Sequence, residues 1–211
     1  MAPQDDGLSL RFDLARNSPF FFKCQKCRVC CSNKTIRVGP YEILRLSRNQ
    51  RMTTGEFLGA FVEEKSLSLR LKPDGECVFL SSQGCRTHRD RPLVCRLYPL
   101  GQLWDAEGQE RFSNMPPHPD CLGYLSEEGT VEGYLESQDV GPYFYYEQKY
   151  SEIFRRTAEK QAGFDTSNHL PSPLVDVDAT VGDYCAKRGI RSPEKVEEII
   201  DTHIRALSNL P

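Results

Sequence analysis

Apolar residues recur at helical spacing in the first half of the chain. One such segment starts at Pro40, and proline is favoured in the first turn of a helix. The next follows Thr53, which has the spacing of a capping box with Glu56, so that each side chain can bind the other residue's backbone N–H. A third, shorter segment lies between Pro92 and Pro99. The pattern predicts a helix in each of these segments.

Helical spacing also dominates the C-terminal part of the chain. An aromatic-rich helix is predicted over residues 141–161, ending at Gly163. A polar linker over residues 165–173 follows it. The next predicted helix contains Cys185, whose simplest role is that of a small buried apolar residue. The last helix is predicted to start in the Ser-Pro-Glu sequence of residues 192–194.

Alternating apolar and polar residues predict short strands. Residues 67–71 and 77–80 flank a Lys-Pro-Asp-Gly turn, and residues 100–104 and 110–114 flank a polar turn that contains glycine. Each pair is predicted to form a β-hairpin. Together with the helices, these hairpins predict an α+β fold, a small irregular domain with short β-hairpins and helices, plus helical C-terminal elements.

The length of 211 residues allows one large domain or a domain with a long tail. We expect an N-terminal arm over residues 1–19 and a central domain over residues 20–125. The remaining residues, 126–211, are expected to form a mostly helical C-terminal region packed on the central domain.

Charge and hydropathy argue against several classes of protein. The formal net charge of −3 argues against a protein that binds nucleic acid by bulk electrostatic attraction. The acidic N-terminus lacks the apolar core of a signal peptide, and no stretch has the roughly 18 consecutive apolar residues of a membrane span. We therefore expect a cytoplasmic protein without membrane association. Thiols stay reduced in the cytosol, which favours metal binding over disulfides for a cysteine-rich sequence.

Four cysteines lie within eight residues, in the pattern CxxCxxCC over residues 24–31, here called the cysteine loop. Thiols three residues apart can converge on one centre while backbone N–H groups of the turn bind their sulfurs. Cys30 and Cys31 differ from the others, because adjacent side chains leave the backbone in divergent directions. One of the two is expected to serve a second centre or to bridge.

The remaining cysteines complete the number needed for two sites. The chain has nine cysteines, an odd number that a closed disulfide framework cannot use completely. Without Cys185, eight remain, enough for two four-thiolate centres that would staple the irregular domain. The predicted metal ligands are Cys24, Cys27, Cys30, Cys31, Cys77, Cys85, Cys95 and Cys121. The count leaves open which cysteine belongs to which centre.

Basic residues surround the predicted ligands. Four thiolates around Zn²⁺ or an oxidised four-iron cluster carry a net charge of about −2, which nearby cations can screen. His88 is a candidate ligand or a neighbour of one, and Arg91 and Arg96 are candidate neighbours. The bracketing cations are Lys23, Lys26, Arg28, Arg86, Arg89, Arg91 and Arg96. The alternative is that some of these cations bind an anionic substrate or nucleic acid, but charge balance is favoured because the whole chain is acidic.

The cysteines occur in short motifs. These are the CxxCxxCC loop, Cys77-Val78-Phe79-Leu80, Gly84-Cys85, Arg91-Pro92, Cys95-Arg96-Leu97-Tyr98-Pro99 and Cys121-Leu122-Gly123. Over residues 20–125 this combination resembles the YkgJ family of cysteine-cluster proteins, which are described as zinc- or iron-chelating domains. A similar cluster occurs in flagellin lysine N-methylase, a more distant likeness that implies an iron–sulfur enzyme using S-adenosylmethionine. The chain has no glycine-rich S-adenosylmethionine-binding fingerprint.

Two functional interpretations follow. Three cysteines at successive spacings of three are typical of bacterial ferredoxins, whereas zinc sites usually use two separated pairs, so the pattern favours a 4Fe–4S cluster over zinc. The first interpretation is an iron–sulfur protein with redox or group-transfer chemistry. The second is a module in which zinc is purely structural and the aromatic helix binds a partner. The sequence does not show whether that partner is a protein or a small molecule.

No Ser/His/Asp set, phosphate loop or paired-carboxylate motif identifies a catalytic residue, so the sequence leaves open whether the chain is an enzyme.

Overall fold

The computed structural model describes residues 10–105, 107–160 and 172–208. These ranges contain α-helices and short antiparallel strand pairs, which confirms the predicted α+β fold. The predicted end of the long helix at Gly163 and the linker up to residue 171 lie outside the described residues.

The helices are mostly short, and one long helix lies near the middle of the second half. They are α1 (Pro40–Asn49), α2 (Thr54–Phe61), α3 (Leu93–Leu97), α4 (Val131–Ser137), α5 (Gly141–Lys160), α6 (Ser172–Val175), α7 (Val177–Arg188) and α8 (Val196–Ser208). Two 3₁₀ turns cover Val29–Cys31 and His88–Asp90.

The strands are short. They are β1 (Pro19–Lys23), β2 (Val62–Glu63), β3 (Ser68–Leu69), β4 (Leu80–Ser81), β5 (Gly84–Cys85), β6 (Leu100–Trp104), β7 (Glu110–Asn114) and β8 (Tyr124–Thr130). They form four antiparallel pairs: β1 with β8, β2 with β3, β4 with β5 and β6 with β7.

The predicted helix starts at Pro40 and Thr53 are confirmed. The Glu42 carboxylate accepts the Gly39 N–H at 2.7 Å in front of Pro40, and the Glu56 carboxylate accepts the Thr53 N–H at 2.8 Å. The prediction for the last helix is wrong by a few residues. Helix α8 starts at Val196, because its first backbone bond runs from the Ile199 N–H to the Lys195 carbonyl, while the Ser-Pro-Glu segment forms a non-helical lead.

The second predicted hairpin is confirmed over its full length, and the first is confirmed only next to its turn. Strands β6 and β7 pair from Leu100 opposite Asn114 to Trp104 opposite Glu110. The first hairpin forms only next to its turn, where Leu71 and Cys77 make a bridge and the Val78 N–H donates to the Arg70 carbonyl at 3.2 Å. The reason is competition for backbone groups. Residues 68–69 pair with residues 62–63, and the Leu69 N–H and Leu67 carbonyl bond to residues 36 and 38.

The chain folds into two compact units, and each is built from two stretches of sequence. The first unit contains residues 1–30 and 94–140, and the second contains residues 31–93 and 141–211. The sequential division into residues 1–19, 20–125 and 126–211 stays a prediction. The boundary between residues 30 and 31 divides the cysteine loop.

The core of the first unit lies where β1 and β8 meet α4. Phe20 and Phe22 of β1 are buried, and Phe20 packs edge-on against Tyr134 of α4 with 4.9 Å between ring centroids. Val131 and Leu135 of the same helix are also buried. Strand β1 therefore supplies aromatic residues to the core directly before the cysteine loop.

The core of the second unit is helical. Ile43, Leu44 and Leu46 of α1 are fully buried. The aromatic residues Tyr143, Tyr146 and Tyr150 of α5 face inward as well, and Tyr146 lies 4.6 Å from the Tyr41 ring of α1. Cys185 of α7 is 2 % exposed, which confirms that it is a small buried residue. The aromatic residues of α5 therefore pack mainly into the core of their own unit.

Candidate metal centre

The cysteine loop follows directly from β1 and has an unusual backbone. Lys26 and Arg28 have φ angles of 56° and 73°, in the left-handed region that residues with side chains rarely adopt. The Lys26 N–H donates to Cys24 Sγ at 3.3 Å. Such N–H···S bonds stabilise the negative charge of a thiolate, the form in which cysteine binds metals.

Cys27 and Cys121 meet within the first unit. The backbone N–H groups of Leu122 and Val29 donate to Cys27 and lower its pKa, and the Cys121 thiol also hydrogen-bonds to it. Burial raises the pKa of Cys121, so Cys27 ionises more readily than Cys121 and the Cys121 S–H is the donor of the pair. The Cys30 thiol lies close enough for its charge to act on both. Three predicted ligands therefore converge in this unit.

Aromatic residues and a tight turn form the surroundings of this group. The turn that contains Cys121 is closed by a bond from the Cys121 N–H to the His118 carbonyl at 2.8 Å. The His118 N–H in turn donates to the Tyr98 hydroxyl at 2.9 Å. Burial raises the pKa of Tyr98, and the charges of Cys121, Cys30 and Cys27 raise it further. The ring of Phe22 stands edge-on to Tyr98 with 6.1 Å between centroids.

A separate group of thiols lies in the second unit. The Cys77 N–H donates to the Cys31 carbonyl at 2.8 Å. Cys85 pairs with Leu80 across β4 and β5, and its sulfur lies 3.4 Å from the buried Thr87 hydroxyl. Burial raises the pKa of Cys77, against the N–H groups of Phe79 and Leu80, and the nearby Cys85 raises it further. The structure therefore brings Cys31, Cys77 and Cys85 to one region.

The other predicted site residues lie on or next to α3. Cys95 is in the middle of this helix, and its role as a ligand stays a prediction. The Arg96 guanidinium is buried and donates to the Gln138 carbonyl at 2.7 Å, so this cation also anchors the end of α4. Arg91 donates to the His88 carbonyl at 2.7 Å and lies 3.5 Å from the ring nitrogen Nδ1 of His88.

The thiol groups have the ligand chemistry of a metal centre, but the side chains are not arranged around an ion. Within the ranges given above, no three or more His, Cys, Asp or Glu side chains are arranged to hold a metal ion. None of the nine cysteines, all inside those ranges, is in a disulfide. The sulfurs are half-buried for the most part, and several accept backbone N–H bonds. This donor set fits a thiolate-bound metal, since such ligands close around the metal as it binds.

The sequence pattern missed three contributors to these surroundings. Tyr98 stands in one of the cysteine motifs without an assigned role, and its hydroxyl supports the turn that carries Cys121. Gly123 stands in the Cys121 motif, also without an assigned role, and Thr87 gave no signal of its own; Thr87 contacts Cys85, and the Gly123 N–H donates to Cys121 Sγ at 3.4 Å. All three lie within three residues of a motif cysteine, and that proximity is the signal that could have identified them.

A comparison with protein families gave one match. The model of the CxxCxxCC family, described as a "putative zinc- or iron-chelating domain", matches residues 23–120. Its range includes seven of the eight predicted ligands and ends one residue before Cys121. Comparisons with curated proteins and with solved structures found no match. No helix in the described part of the chain is long and apolar enough to cross a membrane.

Proposed function

We propose that the thiolates of this chain, whose residues 23–120 match the CxxCxxCC family of cysteine clusters, hold an iron–sulfur cluster used in redox chemistry. The observation that carries the proposal is the N–H···S turn of the cysteine loop, in which Lys26 donates to Cys24 and Val29 donates to Cys27. Bound to these thiolates, a cluster would supply one-electron transfer.

The choice of iron–sulfur over zinc rests on how the ligands are arranged. Cys24, Cys27 and Cys30 follow one another at spacings of three residues, as in ferredoxins, and Cys27 and Cys121 already touch. Backbone N–H groups that point at the sulfurs are a recognised means of tuning the potential of a cluster. The same proposal requires a reducing compartment such as the cytosol, because oxidised thiols do not bind metal.

Group transfer is a narrower version of this proposal. It rests on the likeness to flagellin lysine N-methylase alone and would add S-adenosylmethionine as a second ligand. The partner or substrate would be a protein or a small molecule. We rank this version below electron transfer, since it needs a second binding site.

A structural zinc ion is the second candidate. The observation in its favour is the small amount of regular secondary structure around Cys77 and Cys85, where two-residue strands and isolated bridges hold the chain. A four-thiolate zinc site contributes folding free energy directly and would clamp such loops. In this case the domain has no redox activity, and its metal serves only to shape a binding module.

Purification without oxygen distinguishes the two candidates. We expect a coloured protein that contains iron and acid-labile sulfide in similar amounts, with visible charge-transfer absorption. The Cys27→Ser variant should lose much of this visible absorption, whereas Cys185→Ala should keep it, because Cys185 is buried in the helical core of the second unit. A colourless wild-type protein with stoichiometric zinc would refute the iron–sulfur proposal and support the structural one.

A further inference from the structure

We propose that the cysteines form two independent metal-binding sets divided between Cys30 and Cys31. This inference rests on the proposed function, metal chelation by the cysteines, and deepens it by assigning the ligands. The first set is Cys24, Cys27, Cys30 and Cys121. The second set contains Cys31, Cys77 and Cys85.

The division begins in the backbone of the cysteine loop. Adjacent residues project their side chains in different directions, so Cys30 and Cys31 are poorly placed to bind the same ion as terminal ligands. The structure adds that the two residues belong to different compact units. Residue 30 ends one continuous stretch of the first unit, and residue 31 begins a stretch of the second.

The first set is held together by contacts inside the first unit. Cys121 hydrogen-bonds to Cys27, and Cys30 lies within electrostatic reach of both. The Leu122 N–H, next to Cys121 in sequence, donates to Cys27. Cys24 is assigned to this set from its spacing of three residues before Cys27, in a turn where the Lys26 N–H donates to Cys24 Sγ at 3.3 Å. These four residues make a complete set of four thiolates, the usual number for a tetrahedral zinc site or a four-iron cluster.

The second set is held together by backbone pairing inside the second unit. Cys31 and Cys77 are joined by the N–H···O bond of 2.8 Å, and the neighbouring residues Ser32 and Glu76 form a bridge. Cys77 and Cys85 lie close enough for their charges to interact. Cys85 is fixed by the β4–β5 pair. The three residues come from three separate places in the sequence, and each is fixed by a contact to the same small region.

Counting metal in serine variants tests the division. Each of Cys27→Ser and Cys121→Ser, and each of Cys77→Ser and Cys85→Ser, should lose about half of the metal that anaerobically purified wild type contains by native mass spectrometry. A double variant within one set, Cys27→Ser with Cys121→Ser, should lose no more than either single change. A double variant across sets, Cys27→Ser with Cys77→Ser, should lose nearly all. Cys185→Ala is the control and should keep the full amount.

A measurement on unmutated protein covers the case in which the variants fail to fold. Wild-type protein is treated with a chelator for a limited time, its exposed thiols are alkylated, and single molecules are read by top-down mass spectrometry. Cys27, Cys30 and Cys121 should be labelled together in the same molecules, and Cys31, Cys77 and Cys85 together, with no correlation between the two groups. Joint labelling of all six in every labelled molecule would mean one centre and would overturn the division.

The two levels of the proposal fail in different ways. If wild-type protein purified without oxygen contains no metal, and takes up none from Zn²⁺ or from ferrous iron with sulfide, the proposed function is wrong and the division falls with it. If wild type binds metal but every single variant loses all of it, metal chelation stands and only the division into two sets is wrong.

Discussion

Gly123 lies directly against the ring of Phe22, so close that a Cβ atom at residue 123 would come within 2.3 Å of Phe22 Cζ and 3.3 Å of Cys121 Sγ. Phe22 is buried and belongs to the β1–β8 pair, so its ring has little freedom to move. The absence of a side chain at residue 123 therefore allows the turn that carries Cys121 to pack on the aromatic core before the cysteine loop.

We expect Gly123→Ala to destabilise the protein by about 1–3 kcal/mol, the usual cost of overpacking a tight site, and to weaken metal binding because Cys121 is displaced. Thermal unfolding and metal content measure the two effects. Gly133→Ala is the matched control in the same unit, because a Cβ there would have only an ordinary 3.5 Å contact to Thr130 Oγ1 inside α4. Equal behaviour of the two variants would contradict the packing argument.

Tyr98→Phe tests the support of the turn that carries Cys121. The variant keeps the ring but removes the hydroxyl that accepts the His118 N–H at 2.9 Å. Loss of this bond should cost roughly 1 kcal/mol, and metal should leave faster when a chelator is added. Tyr124→Phe, at an exposed residue of β8, is the control. An unchanged release rate in Tyr98→Phe would show that the hydroxyl does not support the site.

The buried His203 side chain is expected to make the protein less stable in acid. Its Nε2 lies 2.9 Å from the Pro173 carbonyl, which can only accept, so Nδ1 accepts the Tyr150 hydroxyl at 2.7 Å and the ring is neutral. Burial lowers the pKa of His203 to about 4, against the opposing effects of the Pro173 carbonyl, Asp176 and Asp178. The unfolded chain, with an ordinary histidine pKa of about 6.5, binds the proton first. The stabilisation is therefore present above pH about 6.5 and is lost as the pH falls towards 4.

The loss attributable to His203 should approach roughly 3 kcal/mol at pH 4, since each pKa unit corresponds to about 1.4 kcal/mol. Urea unfolding between pH 4 and 7 measures it as the difference between wild type and His203→Gln, which cannot titrate. Both proteins release metal in acid, so the effect of that release on the free energy of unfolding cancels in the difference between them. Parallel pH profiles for the two proteins would show that His203 does not contribute.

Thr54 connects three helices of the second unit. Its buried hydroxyl donates to Asp176 at 2.7 Å and accepts the Asp178 N–H at 2.9 Å, while the Asp178 carboxylate binds Arg48 at 2.9 Å. Burial acts to raise the pKa of Asp178, but the bonds from Arg48 and Thr54 outweigh it and leave that pKa low. We expect Thr54→Val to lose about 1–3 kcal/mol, because it leaves buried polar groups without this partner. Thr54→Ser should lose clearly less in the same urea unfolding measurement, and an equal loss would assign the effect to packing.

Local sequence signals were reliable where the cause of the structure is local. Proline at the start of α1, the capping box of Thr53 and Glu56, and the polar turn between β6 and β7 all act over a few residues, and each was read correctly. The first hairpin is shorter than predicted because residues 67–69 bond to residues 36–38 and 62–63, and no short-range pattern shows this competition.

Thiol spacing and hydrophobic periodicity are properties of the chain alone, and they were enough to predict the α+β class, the candidate ligands and the resemblance to cysteine-cluster proteins. That Cys121 meets Cys27, and that Cys77 meets Cys31, is visible only in the folded chain. These pairs are remote in sequence, and they are brought together by packing and backbone bonds that form only when the whole chain has folded.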